Sequence, residues 1–389
     1  MIRLLYISDF SESFALKLLK GIVQYSRQGE QWEICRMPPS FIKAKGFSYV
    51  ADWAKSWGAN AVIGAFEFEE DIEIFQQKGI LVVAQDYKKL FKIAPNITGD
   101  YFEAGRMAAN FFMERGYTHY GFFGFKDVYW SDERMNGFRS TLEKAGKAGS
   151  FHEYRSQNIE RLWFYERNNL TEWLQNLPKP IAILACDDNQ ATNLIDACHV
   201  AGIRIPSDIS IIGVDNDEIV CNINTPLLSS VSVDIEKGGY QTAALIEKLV
   251  KNPGAPMEDI VLKAVKVVER LSSATFATTD PEIQKALKFI HQNIQSKMNV
   301  KDIMGQVALS RRLLERRFKE VTGSTIYQYV STLKVRKFAE LLMESNEQVI
   351  NIAINLGEND TKNLVRRFKA EYGMTPTEWR TRHSVAEPF

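Results

Sequence analysis

Two stretches near the end of the chain repeat one another at a fixed offset of 50 residues, and no other feature constrains the fold as tightly. Ser310–Gly323 aligns with Asp360–Gly373, with identical pairs Leu314/Leu364, Arg316/Arg366, Arg317/Arg367, Phe318/Phe368, Lys319/Lys369 and Gly323/Gly373. Each copy opens on a residue suited to cap a helix, Ser310 or Asp360, and closes on a glycine suited to the left-handed position that follows one. Each follows a short apolar stretch and a tight connection, 300–307 before the first and 349–356 with Gly357 before the second. Helix, turn and basic second helix make the helix-turn-helix pattern, here present twice.

Helical geometry sorts the faces. At 3.6 residues per turn, Leu314, Phe318 and Val321 share one side of the first copy, and Leu364, Phe368 and Tyr372 share the matching side of the second. The outward face then carries Arg311, Arg312, Glu315, Arg316 and Lys319 in one copy and Thr361, Lys362, Val365, Arg366 and Lys369 in the other. Arginines in the first half of such a helix pair bidentately with guanine edges or with phosphates. Ser310, Arg311, Arg312, Arg316, Thr361, Lys362 and Arg366 are therefore the candidate DNA contacts. Arg317 and Arg367 lie nearer the apolar stripe and read as packing or phosphate contacts. A long helix over 325–343 would join the two motifs, which suits successive major-groove segments about 10 base pairs apart.

Charge agrees with this division. The 389-residue chain holds 48 Lys and Arg against 48 Asp and Glu, a net of zero that at first argues against nucleic acid. Residues 281–389, however, carry 18 basic and 12 acidic residues, so a net of +6 there is cancelled by −6 in the first 280. That asymmetry suits an acidic ligand-handling body attached to a basic reader. The boundary falls where a polar stretch at 272–279 meets Asp280-Pro281, an N-cap followed by proline at the first helical position. The expected organisation is a body at 1–273, a linker at 274–280 and a reader at 281–389.

The body alternates apolar runs with amphipathic stretches. Runs at 2–7, 61–66, 80–84, 120–124, 181–185 and 209–214 read as buried parallel strands. Helical stretches at 13–25, 69–78, 101–115, 132–144, 189–201 and 235–251 separate them. The expected fold class is a two-lobed α/β body followed by an all-α domain with two helix-turn-helix motifs.

In such sheets ligands bind beyond the carboxyl ends of the strands. Those ends read Ser8-Asp9, Phe66-Glu67, Gln85-Asp86, Asp187-Asp188 and Asp215-Asn216. Converging carboxylates need hydroxyl donors, a cation or a metal. A neutral polyhydroxylated ligand meets that need, with an arginine donating to its oxygens. Trp130 and Arg134 lie after the 120–124 strand, from where an indole could stack on a sugar face. A single aspartate at these positions also serves as the N-cap of the next helix. Asp9, Trp130, Arg134, Asp187, Asp215 and Asn216 are the candidate ligand contacts.

Other chemistry is not signalled. There is no phosphate loop, dinucleotide fingerprint, serine elbow or zinc-protease motif. The five histidines and four cysteines show no ligand spacing, so no metal, cofactor or catalytic residue is expected, and the cysteines read as reduced thiols. No run reaches the ~18–20 apolar residues of a membrane span. The opening residues lack a signal-peptide pattern, so a cytoplasmic location is expected.

Residues 281–382 resemble the DNA-binding domain of the AraC/XylS family of bacterial transcription regulators. The resemblance rests on Ser310…Leu314…Arg316…Phe318-Lys319, on the run from Arg336 to Leu342, and on Phe368-Lys369…Gly373…Thr375-Pro376…Trp379-Arg380. One departure is Gly357-Glu358, where the family usually has Gly-Phe. Residues 1–273 resemble the effector domain of LacI/GalR-type repressors. This second match runs through Thr98-Gly99-Asp100, Ala104-Gly105, Gly116–His119, Glu133-Arg134, Gly137-Phe138, Ala185–Asp188, Ile212–Asn216, Pro226–Val231 and Val268–Ser273. It implies that Asp100, Arg134, Asp187 and Asp215 contact a sugar. The family usually has Asn-Asp at Asp187-Asp188, which bears on sugar selectivity.

A LacI-like sensor joined to a C-terminal AraC-like reader is similar to the arrangement of xylose-operon regulators, activators that respond to D-xylose. The spacing of Trp130 and Arg134 and the start at Thr279-Asp280-Pro281 share in that similarity. The resemblance implies a homodimeric activator of pentose-utilisation genes. Its partners would be a double-stranded DNA operator, a pentose effector such as D-xylose, and RNA polymerase. The alternatives are another sugar or metabolite as effector, or a sugar-processing enzyme with a basic tail.

Overall fold

The computed structural model describes residues 1–10, 13–29, 31–86, 88–147, 151–156, 167–278, 280–345, 347–357 and 360–383. They form two compact units, residues 1–110 with 119–274, and residues 111–118 with 275–389.

The first unit contains two six-stranded sheets, as the strand–helix alternation predicts. Strands β1 (Ile2–Ile7), β2 (Trp32–Met37), β3 (Ala61–Ala65), β4 (Leu81–Gln85), β5 (Asn96–Gly99) and β11 (Ile260–Leu262) make one sheet, ordered β11-β5-β4-β3-β1-β2 and wholly parallel. The other comprises β6 (Tyr120–Phe125), β7 (Phe151–Ser156), β8 (Ile181–Ala185), β9 (Ile209–Val214), β10 (Ser229–Val233) and β12 (Ala264–Val268), ordered β12-β10-β9-β8-β6-β7. Only β12 runs antiparallel. Strands β6, β8 and β9 are buried along their whole length, which is why they read as unbroken apolar runs. Strands β2, β7 and β12 are only partly buried and carry polar residues, so periodicity passed over them.

Two helices place Tyr101, Trp130 and Arg134. Helix α4 (Tyr101–Glu114) follows β5, and α5 (Tyr129–Lys144) follows β6. Helix α5 begins three residues earlier than its sequence pattern suggests, so Trp130 joins Arg134 on its first turns. The two helices cross with backbones almost touching. A Cβ on Gly105 would lie 2.0 Å from the Arg134 carbonyl oxygen, and one on Gly137 would lie 1.9 Å from that of Phe102. Only glycine permits this approach, and it sets Tyr101 beside Arg134.

The second unit is helical throughout. Its helices are α10 (Pro281–Gln292), α11 (Val300–Met304), α12 (Arg311–Thr322), α13 (Ile326–Glu344), α14 (Val349–Asn355), α15 (Thr361–Tyr372) and α16 (Pro376–His383). It has two cores. Ile283, Leu287, Ile290, Ile303, Leu314 and Phe318 pack on the first half of α13, at Ile326, Tyr329 and Leu333. Ile352, Leu356, Leu364 and Phe368 pack on its second half, at Val335, Phe338 and Leu342. The long helix thus carries one helix-turn-helix on each half.

Caps follow the sequence with one exception. Asp280 accepts from the amides of Glu282 and Ile283, and Asp360 from that of Asn363. Gly323 and Gly373 adopt φ of 74° and 70°. Ser310 occupies the cap position of α12, but its side chain makes no capping bond. Gly357 has φ of 67°, and a Cβ there would come within 2.3 Å of the Lys297 amide nitrogen. Glu358, the departure beside it, lies outside the described residues.

The last turn of α4 and the turn after it, 111–118, belong to this second unit. There the Tyr329 hydroxyl donates to the Glu114 carbonyl and the Arg336 guanidinium pairs with the Glu114 carboxylate. Arg336 Nε also reaches Glu371 at the end of α15, at 3.2 Å. Among the described residues no helix is long and apolar enough to cross a membrane.

Candidate functional site

At the carboxyl ends of the strands in the first unit, a chain of polar contacts joins the two sheets. Arg134, buried on α5, donates through Nη2 to Asp215 Oδ1 at 2.8 Å and through Nη1 to the Cys186 carbonyl. Cys186 follows β8 and Asp215 follows β9. The Arg134 guanidinium lies between two rings, 5.0 Å from the centre of Tyr101 and 5.2 Å from that of Trp130. The Tyr101 hydroxyl in turn donates to Asp86 Oδ1 at 2.8 Å, and the Thr98 hydroxyl to Asp86 Oδ2 at 2.5 Å. The series Asp86, Tyr101, Arg134, Asp215 therefore runs from the end of β4 in one sheet to the end of β9 in the other.

Electrostatics make this cluster unusual. Burial opposes the charge on Arg134, but Asp215 and Tyr101 hold it protonated. Its Nε is buried and has no hydrogen-bond partner. A buried unsatisfied donor on a guanidinium is a feature that a ligand oxygen would relieve. Burial pushes the Asp86 carboxyl up to about 7, against the lowering effect of the hydrogen bonds from Thr98 and Tyr101. Burial and the neighbouring Asp86 push the Tyr101 phenol well above its ordinary range.

The Asp86 shift has a stability consequence. An unfolded aspartate titrates near 3.9. The folded protein therefore resists ionising Asp86, and its relative stability falls as pH rises from about 4 to about 7. Asp86→Asn keeps a hydrogen-bonding group without a charge and should flatten that slope. Denaturant unfolding at pH 5 and pH 8 measures it, and equal losses in the two proteins would refute the assignment.

Asp215 and Asn216 adopt φ of 98° and 46°, in a region that non-glycine residues rarely visit. Such backbone costs of order 1–3 kcal/mol per residue and persists where surroundings over-determine it. Lys17 on α1 (Ser13–Ser26) supplies part of that restraint, donating to the carbonyls of Asp215 at 3.3 Å and Asn216 at 2.8 Å. Arg270 Nη2 donates to Asn216 Oδ1 at 2.8 Å, and the Ser230 hydroxyl accepts from the Asn216 amide at 3.0 Å. The Asn216 side chain is therefore engaged by protein.

The remaining sequence candidates are placed differently. Asp187 caps α7 (Asp188–Val200), accepting from the Gln190 amide at 2.6 Å, which is the capping role the sequence left open. Its neighbour Asp188 is buried and accepts from Ser230 at 2.6 Å and the Asp217 amide at 2.7 Å, so it serves the interior. Asp100 precedes α4, accepts from the Glu103 amide at 3.4 Å and lies 3.7 Å from Lys263 Nζ. Neither contact joins it to the Arg134 cluster. Asp9 is exposed at the end of β1, and Trp130 is half-buried with its ring edge-on to Phe125. Sequence reasoning did not select Tyr101 or Lys17, and it noted Asp86 only as one strand end among several. No local pattern marks them, because their partners are remote in the chain.

In the second unit Arg311, Arg312, Glu315 and Arg316 are exposed along α12. Arg311 pairs with Glu315 at 3.0 Å and Arg316 with Glu320 at 3.7 Å. On α15, Lys362 and Arg366 are exposed, Thr361 is half-buried, and Arg366 donates to Asn363 Oδ1 at 3.0 Å. Arg317 is tied to Asp280 at 3.1 Å and Arg367 to the Ser331 hydroxyl, as their position beside the apolar stripe suggests. Among the described residues no group of His, Cys, Asp or Glu could hold a metal ion, and the four cysteines are free.

Residues 109–273 match the periplasmic binding protein-like domain family, and residues 291–382 match a helix-turn-helix domain family. The chain is 26% identical to the xylose operon regulatory protein of Escherichia coli (strain K12) over 390 residues, covering 97% of this chain and 96% of that one. It is 30% identical to the multiple antibiotic resistance protein MarA of Salmonella typhimurium over 98 residues, 25% of this chain and 77% of MarA. The solved structure of a xylose-binding transcription activator, XylR, has a TM-score of 0.59 at 24% identity and covers 98% of both chains. With a periplasmic-binding-like match followed by a helix-turn-helix match, and similarity over 97% of its length to a xylose operon regulatory protein, the chain is a sugar-responsive, DNA-binding transcription regulator.

Proposed function

We propose that this sugar-responsive, DNA-binding regulator takes D-xylose as its effector and activates pentose-utilisation genes as a cytoplasmic homodimer that recruits RNA polymerase. The observation that carries the sugar reading is the buried Arg134, whose free Nε lies amid Asp215, Tyr101, Trp130 and Asp86. A pentose offers what that group lacks, with hydroxyls to donate to carboxylates, oxygens to accept from the guanidinium, and an apolar face for the indole. Residues 1–273 act as sensor, 274–280 as linker and 281–389 as reader. Asp9, Asp100, Asp187 and Asn216 complete the proposed ligand set around Trp130, Arg134 and Asp215, and no residue is assigned a catalytic role.

The sugar bridges the two sheets and favours a closed form of the sensor, a shift driven by its higher affinity for that form. Helix α4 starts at Tyr101 and ends at Glu114, so a displacement of its first turn is passed along a continuous helix to the residue paired with Arg336. Ser310, Arg311, Arg312 and Arg316 then engage one segment of the operator and Thr361, Lys362 and Arg366 the next.

Two measurements test this. Calorimetry against a panel of pentoses and hexoses should rank D-xylose first, and a hexose preference would overturn the effector. On a selected DNA site, Arg312→Ala or Arg316→Ala should cost about 1–3 kcal/mol of specific binding. An equal loss on random duplex would make that residue a phosphate contact.

A further inference from the structure

The two readers expose different chemistry at equivalent positions. At the offset of 50, Arg311, Glu315 and Glu320 of α12 correspond to Thr361, Val365 and Ala370 of α15. Three charged positions become neutral, while Arg316/Arg366 and Lys319/Lys369 stay basic. In α12 the acidic residues pair with the arginines, so that helix presents a lattice of donors and acceptors. In α15 the neutral positions open onto a groove of about 600 Å³ shared with α14, whose apolar lining includes Val349, Ile350, Ala353, Val365 and Ala370. Ile350 is 53% exposed. The same groove is lined by the cationic Lys362, Arg366 and Lys369.

An apolar strip flanked by three cations on a recognition helix suits one occupant well. The phosphates of a DNA duplex match the cations, and the apolar element on a base edge in the major groove is the C5 methyl of thymine. Building on the proposed DNA-reading role of α15, we infer that the second reader selects thymines by seating their methyl groups against Val365 and the apolar floor beside it. The first reader, with arginines and Glu315, selects bases by hydrogen bonding. The operator is then chemically asymmetric, methyl-read in one segment and hydrogen-bond-read in the other.

The test uses the full chain and a site selected from random duplex DNA, with and without D-xylose. Each thymine of that site is replaced singly by deoxyuridine, which removes only the methyl. Affinity should fall about fourfold per seated methyl, the equivalent of one buried CH₂, at thymines confined to one segment. Val365→Ser removes both side-chain methyls and leaves a hydroxyl, and it should abolish the thymine-over-uridine preference at those positions while binding elsewhere is kept. A selected site indifferent to every thymine-to-uridine change, or a preference that survives Val365→Ser, overturns the methyl reading and leaves the groove to a protein partner. Failure to select any sequence would instead overturn the DNA-reading role on which the inference rests. The two failures are therefore distinct.

Discussion

Arg134→Ala should lower D-xylose affinity by at least about 30-fold, measured by calorimetry on the full chain. The side chain is only 5% exposed and makes three kinds of contact: an ion pair with Asp215, a bond to the Cys186 carbonyl, and ring contacts with Tyr101 and Trp130. Truncating one partner of a buried, hydrogen-bonded charge pair costs about 2–5 kcal/mol, where 1.4 kcal/mol is tenfold. The loss includes the free Nε donor and the restraint on Asp215, whose left-handed backbone then has one fewer anchor. Arg134→Lys should fail to rescue, because an ammonium cannot hold a carbonyl, a carboxylate and a ligand oxygen in one planar fork. DNA binding without sugar should persist in both variants. An affinity within threefold of the wild type would remove the Arg134 cluster from the sugar site.

Phe368→Ala should unfold the second reader while sparing the first. The ring is fully buried and meets Phe338 at 5.6 Å, Tyr372 at 4.7 Å and Trp379 at 5.9 Å. Removing such a ring costs about 3–5 kcal/mol. Its core is separate from the one around Phe318, because the two clusters pack on opposite halves of α13. Calorimetric unfolding should show a new low-temperature transition, and affinity for the selected DNA site should fall about 100-fold or more. Sugar titration should be unchanged. One merged transition accompanied by loss of sugar binding would show that the cores are not independent.

These two variants mark different degrees of legibility in the sequence. The second reader was readable because its recognition helix, its caps and its apolar face are set locally. Asp360, Leu364, Phe368 and Gly373 lie within one helix and its caps, and the copy 50 residues earlier repeats the pattern. Ser310 shows where local reading stops, since the residue type fits a cap but its hydroxyl makes no such bond. Asp187 shows the complementary case, in which a strand-end aspartate is occupied by its own helix.

The fully buried strands, the division of charge and the outward face of each recognition helix were set by the sequence itself, because periodicity, capping and composition act over a few residues. Tertiary structure alone decided the cluster around Arg134. Asp86 and Tyr101 are 15 positions apart, and Arg134 and Asp215 are 81 apart. A hydrogen bond depends on distance in space, not along the chain. Those distances follow from which strands lie side by side, from a crossing of α4 and α5 that leaves no room for a Cβ at Gly105 or Gly137, and from the positive φ of Asp215 and Asn216. None of these has a local signature, so the carboxylates legible as strand ends became a site only when the fold brought Arg134 and Tyr101 between them.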